Sequence, residues 1–461
     1  MALSLTSLKT PGVYIDEVST LAPSVVPVAT AIPAFIGYTE KGGSTSNPVP
    51  VRITSFPEFL STFGGAYPQK IDVTISDNAS VRTITTSFQS NYPKGFVLFQ
   101  SLQFYFDNGG GPCYIVSVGN YPVSPALADF QAGLAAIRKE DEPTLLLFPD
   151  AVGLLLASEN GALIDATLKQ CNELQDRFGI FDVKTNDPGS VGTVFRNVTG
   201  ANYLKYGAAY MPDLNTLYTF GFDGTVAVTS NVSALNGVQI KEFNNPANTT
   251  DFNPSLYSMI VAEINKMVVE LPPSGGIAGI YAAVDRDRGV WKAPANVSLT
   301  GITGPTTMIT EEQQAGLNVD PTSGKSINAI RTFVGRGTII WGARTLDGNS
   351  NEWRYVPVRR LFIMAEESIR KALDPVVFES NDKNTWMRVK STITNFLTDL
   401  WKQGALAGDK PDQAYFVKIG LNETMTAQDI LEGKLIVEIG LAAVRPAEFI
   451  VLRFMHKLQE A

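Results

Sequence analysis

Cys113-Tyr-Ile-Val-Ser-Val118, Thr144-Leu-Leu-Leu-Phe148 and Gly179-Ile-Phe-Asp-Val183 decide the fold class. Each is a short, mostly apolar run without the alternation of a half-solvated strand, the pattern of a strand covered on both faces. Helical patterns lie between them at 130–139 and 160–177, the second with Ile164, Leu168, Cys171 and Leu174 on one side. Strand, helix, strand, helix, strand with short connections predicts a largely parallel sheet. Residues 206–210 and 279–284 read as two further strands and 255–269 as another helix. This α/β domain is expected over 96–330, with a β-rich insertion at about 213–253 that includes the alternating Thr225-Val-Ala-Val-Thr229.

Upstream, residues 1–35 read as an extended arm. Gly12-Val-Tyr-Ile-Asp16 is β-like, and Pro23, Pro27 and Pro33 exclude a continuous helix. Such a segment cannot bury itself and needs a sheet edge in its own subunit or a neighbour's. Residues 36–95 are expected to hold a short helix, opened by Ser55-Phe-Pro-Glu58, and then a variable surface excursion over 66–95. Downstream, 331–461 reads as an α+β domain. It has a strand at 337–343, amphipathic helices at 358–373 and 383–402, and β-like runs at 435–440 and 448–454.

The 461 residues carry a net charge of −8, and only 18% are charged, against about 25% in an average soluble domain. An acidic chain is poorly suited to phosphate contacts, so no nucleic acid is expected as a partner. A catalytic triad, a His-ligated zinc or a His general base would each have to use the single histidine, His456. Cys113 and Cys171 are too few for a disulfide framework. The most apolar stretch, 144–157, is broken by Pro149-Asp150 and is shorter than the ~20 residues a bilayer requires. No direct membrane insertion, cofactor, metal or enzymatic activity is expected. The low charge leaves a surface that is either unusually neutral or consumed by interfaces.

Asp320-Pro-Thr-Ser-Gly-Lys-Ser326 invites a phosphate-loop reading, but Val319 stands where the motif needs its first glycine, and an exposed turn is expected instead. Asp285, Arg286, Asp287 and Arg288 follow the expected strand at 279–284. Alternating arginines would hold both carboxylates ionised, which suits a structural ion-pair cluster better than a general acid or a metal site. The 383–402 helix carries Lys383, Arg388, Lys390 and Lys402 against Asp399. It is either an ordinary solvated face or a basic stripe facing an acidic partner.

Leu271-Pro-Pro-Ser-Gly-Gly-Ile-Ala-Gly-Ile-Tyr-Ala-Ala-Val-Asp-Arg-Asp-Arg-Gly-Val-Trp-Lys-Ala-Pro-Ala-Asn296 resembles the signature stretch of contractile tail sheath proteins. That family serves contractile phages, R-type pyocins and phage-tail-like injection systems. Pro11-Gly-Val-Tyr-Ile-Asp-Glu17 with Phe35-Ile-Gly37 resembles its opening arm. The stretch 337–345 with Trp353-Arg-Tyr-Val-Pro-Val-Arg-Arg-Leu361, and Phe378-Glu-Ser-Asn-Asp382 with the Trp386 helix, resemble its C-terminal domain.

The resemblance implies a subtilisin-like α/β domain without proteolysis and an α+β C-terminal domain completed by strands exchanged between subunits. Gly12, Val13, Tyr14, Ile15 and Asp16 would supply one exchanged strand, and Phe449, Ile450, Val451, Leu452, Arg453 and Phe454 the other. Lys383, Arg388 and Lys390 would contact an acidic inner tube. The implied partners are copies of itself in stacked hexameric rings, the inner tube protein, baseplate and terminal cap proteins, and sheath paralogues. The particle would be assembled in the bacterial cytoplasm and released by lysis. A phage tail and an injection system both fit. A β-decorated binding module or adhesin, suggested by 213–253, is the reading outside the family.

Overall fold

Pro33-Ala-Phe-Ile-Gly-Tyr-Thr39 is buried at every residue and forms strand β1 of an eight-stranded sheet. The computed structural model describes residues 25–78, 81–89, 95–121, 124–184 and 188–452. The other strands of the sheet are β2 (Pro50–Ile53), β3 (Cys113–Asn120), β4 (Leu145–Leu147), β5 (Phe178–Asp182), β6 (Gly207–Met211), β7 (Ile327–Phe333) and β8 (Gly337–Ile340). Their spatial order is β8-β7-β6-β5-β4-β1-β3-β2. From β7 to β3 all neighbours are parallel, while β8 and β2 close the two edges antiparallel. β4, β5 and β6 are buried throughout, as a sheet covered on both faces requires.

The chain divides into two units, Ala29–Ile363 with Arg445–Ala461, and Met1–Val28 with Met364–Val444. The sheet belongs to the larger. Its helices include α1 (Leu98–Asp107), α2 (Leu127–Ile137), α3 (Ala157–Leu174) and α4 (Ser274–Arg288). Asp150, fully buried just beyond β4, accepts the Val97 and Leu98 amides at the start of α1, at 2.7 and 2.8 Å, and the Tyr38 amide at 2.8 Å. One carboxylate thereby ties a helix N-terminus to β1.

Several expectations need correction. Residues 33–35 belong to no arm: they open β1, where a proline at the first strand position costs no ladder bond. The stretch 279–284 is helix, not strand, because it lies inside α4. Its glycines explain the misreading. A Cβ on Gly275 would sit 2.4 Å from the Ser101 carbonyl oxygen, and one on Gly279 would sit 2.6 Å from that of Tyr105. The glycines let α4 lie directly on α1.

The boundary expected at 330/331 cuts through β7. The chain instead passes between the units at residues 363 and 364, within α5 (Val356–Leu373), because β8 completes the large sheet. The excursion at 66–95 and the insertion at 213–253 are one structure. Ile71–Asn78 and Val81–Phe88 form an antiparallel hairpin, and Thr229–Ser230 adds to it in parallel. Ile71, Val73 and Ile75 share a second core with Val226, Val228, Ile240, Phe243 and Leu256, Ile260 and Ile264 of the helix Pro254–Ile264.

In the smaller unit, α6 (Lys383–Lys402) is capped by the Asp382 carboxylate on the Thr385 amide at 2.9 Å. It buries Val389, Ile393, Phe396, Leu397 and Leu400. Tyr415–Lys418 and Glu438–Leu441 pair antiparallel as a sheet of two strands.

Candidate functional site

The expected site residues fall into three places. At the root of the N-terminal segment, Thr30 is held from two sides. Its hydroxyl donates to Asp285 Oδ2 at 2.5 Å, and its carbonyl accepts from Arg360 Nη2 at 2.9 Å. Arg360 also closes on Asp285 with contacts of 3.0 and 2.5 Å, and both side chains are buried. The Arg360 guanidinium lies 4.5 Å from the Tyr281 ring centre, and the Tyr281 and Tyr210 hydroxyls meet at 2.7 Å. Gly12, Val13, Tyr14, Ile15 and Asp16 lie outside the described residues.

The cluster 285–288 is therefore not self-contained. Asp285 turns inward to an arginine 75 positions away. Arg286 pairs outward with Asp287 at 3.0 Å and also donates to the Gly109 carbonyl. Arg288 closes the last turn of α4. On the helix Asp285 and Arg286 point about 100° apart, one inward and one outward, and no sequence spacing announces Arg360 as the partner.

At the other end, Glu448 is gripped by Arg344, Asn318 and Tyr355, with contacts of 2.6, 2.8 and 3.1 Å. Phe449, Ile450, Val451 and Leu452 follow at 71, 79, 77 and 73% exposure, in no sheet of their own chain. The run expected as a strand at 448–454 is thus unpaired where it is described; Arg453 and Phe454 lie outside the described residues. Four consecutive exposed apolar residues are rare on a free surface.

The third place is the outer face of α6, where Lys383, Arg388 and Lys390 are all exposed. Arg388 reaches Glu379 at 3.2 Å in an exposed pair, which is worth about 0–1 kcal/mol. Met387 on the same helix, with Val377 and Phe378 before it, is also exposed, and Phe378 holds φ +70°.

The false phosphate loop has a structural explanation. Lys325 is buried and donates to the carbonyls of Arg196 and Thr199 at the end of the helix Pro188–Val198. Its ammonium is spent on helix carbonyls, and burial lowers its pKa. Burial pushes the thiols of Cys113 and Cys171 up, the latter to about 12. Among the described residues, no group of three or more His, Cys, Asp or Glu could hold a metal. Nor, among them, is any helix long and apolar enough to cross a membrane.

A mixed α/β body with an apolar run at its margin and a basic helix on a second unit describes an assembly subunit. The comparisons say which kind. Residues 349–456 match the phage tail sheath C-terminal domain. The fold covers 98% of this chain and 98% of the sheath of an extracellular contractile injection system (PVC, contracted state), at 32% identity and TM-score 0.66. The contracted helical sheath of the anti-feeding prophage is similar at 34% identity and TM-score 0.66, over 98% of this chain and all of that one. The tail sheath protein of Vibrio phage KVP40 is 25% identical over 41% of this chain and 27% of its own length. A putative prophage major tail sheath protein of Pseudomonas aeruginosa is 26% identical over 38% of this chain and 44% of its own length. The chain thus spans less than half the length of these curated relatives. It belongs to the contractile tail sheath family.

Proposed function

We propose that the chain polymerises helically, as stacked hexameric rings around an inner tube, and contracts from a metastable extended state to drive that tube through a target envelope. The observation that carries this reading is the likeness to contracted sheaths along nearly the whole chain. In this reading the larger unit is a subtilisin-like domain kept for its shape. The segments 12–16 and 449–454 leave it to add strands to neighbouring copies. The two-stranded sheet of the smaller unit has backbone edges to receive them, and so small a sheet is marginal unless extended. Contacts that run head to tail without closing generate a helix. Contraction then releases the difference between two packings of rigid bodies joined by arms.

Lys383, Arg388 and Lys390 face the acidic inner tube, and baseplate and cap proteins terminate the array, with sheath paralogues as further partners. Assembly takes place in the bacterial cytoplasm. The full-length neighbours are an injection-system sheath and an anti-feeding prophage sheath, which favours a tail-like particle over a virion tail. The test is negative-stain microscopy of the full chain beside a variant lacking residues 1–18. Tubes from the first and folded, unassembled subunits from the second are expected. Normal tubes from the truncated chain would refute strand exchange, and a monomer from the full chain would favour a binding module.

A further inference from the structure

Glu448 stands at a sharp change of environment. The four residues after it are exposed apolar side chains, whereas its own carboxylate sits in a cradle built from three separate stretches of the larger unit. Arg344, whose side chain is 4% exposed, donates Nε to Oε1 at 2.9 Å and Nη2 to Oε2 at 2.6 Å. Asn318 Nδ2 adds 2.8 Å to Oε1, and Tyr355 Oη adds 3.1 Å to Oε2.

The cradle is fixed without Glu448. Asn328, buried on β7, accepts the Arg344 amide and donates to its carbonyl, both at 2.8 Å. Arg344 Nη1 also reaches the Asn318 carbonyl at 3.2 Å. A bidentate pair of this kind fixes direction as well as distance.

Alternation decides what such an anchor is for. In a strand, Phe449 and Val451 face one side and Ile450 and Leu452 the other, so a slip of one residue exchanges the buried pair for the exposed pair. If the chain came free at Glu448, the residues from Arg445 on would add about 13 Å of slack. We propose that the Arg344–Glu448 pair is a positioning device that fixes the root, and so the register, of the strand donated to a second copy of this chain. This rests on the strand-exchange reading of the C-terminal segment. Pull on the arm then enters the body beside β7 and α5 and does not peel the chain back from residue 448.

The experiment compares full-length wild type, Glu448→Ala, Glu448→Gln and the double variant Glu448→Ala/Arg344→Met, with a chain lacking 449–461. The double variant removes the stranded buried charge and so protects against simple misfolding. Urea midpoints for tube dissociation and hydrogen exchange of amides 445–452 in the tubes are read for each. Glu448→Ala and the double variant are expected to dissociate at lower urea, with exchange faster by on the order of 100-fold. Glu448→Gln should fall between them and wild type. Wild-type midpoints and exchange in Glu448→Ala would overturn the anchor, while loss of tubes on deleting 449–461 would leave strand exchange standing. Normal tubes from the deleted chain would overturn strand exchange, and with it the register role.

Discussion

Arg360 Nη2 lies 2.5 Å from Asp285 Oδ2, and Nη1 lies 3.0 Å from Oδ1, with the two side chains 2% and 5% exposed. Together they hold both polar groups of Thr30 that face them. In Asp285→Ala the Arg360 charge would remain buried against one carbonyl and one ring. A loss of about 3–5 kcal/mol in unfolding free energy is expected, measured by urea denaturation. Asp285→Ala combined with Arg360→Met should recover most of it, because no charge is left stranded. An unchanged midpoint in the single variant would refute the pairing.

Close contact of α4 with α1 depends on glycine. Gly279→Leu places its Cβ 2.6 Å from a backbone carbonyl that cannot swing away, so a destabilisation of about 1–3 kcal/mol or more is expected. Gly304→Ala, where the added carbon meets nothing within 4 Å, is the control. Thermal unfolding of both variants distinguishes a packing requirement from general sensitivity.

The pH dependence has a definite sign. Burial raises Asp150 to about 7 and Asp182, which accepts the Ser274 amide at 2.8 Å, to about 8. Both values lie above the unfolded carboxyl's 3.8, so the folded state binds more protons in between. Stability from these groups is full below pH ~4 and is lost as pH rises towards 7 for Asp150 and 8 for Asp182, by at most about 1.4 kcal/mol per pH unit for each. Asp182→Asn should flatten that slope between pH 5 and 8 in a series of urea midpoints. An undiminished slope would exclude Asp182 as a source.

The basic face of α6 gives a prediction about partners. Arg388→Glu with Lys390→Glu should weaken binding to the inner tube about tenfold or more at low salt, with the gap narrowing as salt rises. Sheath–sheath contacts should be spared, since among the described residues Arg388 is seen only in an exposed pair with Glu379. Equal co-sedimentation of variant and wild type with tube protein would reject the role.

What could be read in advance followed periodicity. β3, β4 and β5 were legible because unbroken apolar runs between helical patterns have few other solutions, and α6 was legible because its apolar positions recur every three to four residues. What was missed depends on distant residues. Gly279 reads as part of a strand until Tyr105 is seen beside it, and Asp285 looks self-paired until Arg360 arrives. Ile71, Val73 and Ile75 looked like an excursion because the residues that cover them come more than 150 positions later. Glu448 carries no local signal, and its partners Asn318, Arg344 and Tyr355 lie 93 to 130 positions away.

The place of β1 has a consequence for synthesis. Ala34 pairs with Tyr114 and Pro33 with Leu145, so β1 leaves the ribosome before either neighbour exists. At ~5–20 residues per second, Pro33 waits on the order of ten seconds for Leu145. Until α1 and β3 are made, a seven-residue strand, buried at every position in the finished protein, lacks the elements that pack against it. Closure of this part of the sheet therefore waits on residues made well after β1, and until then its apolar side chains are open to aggregation.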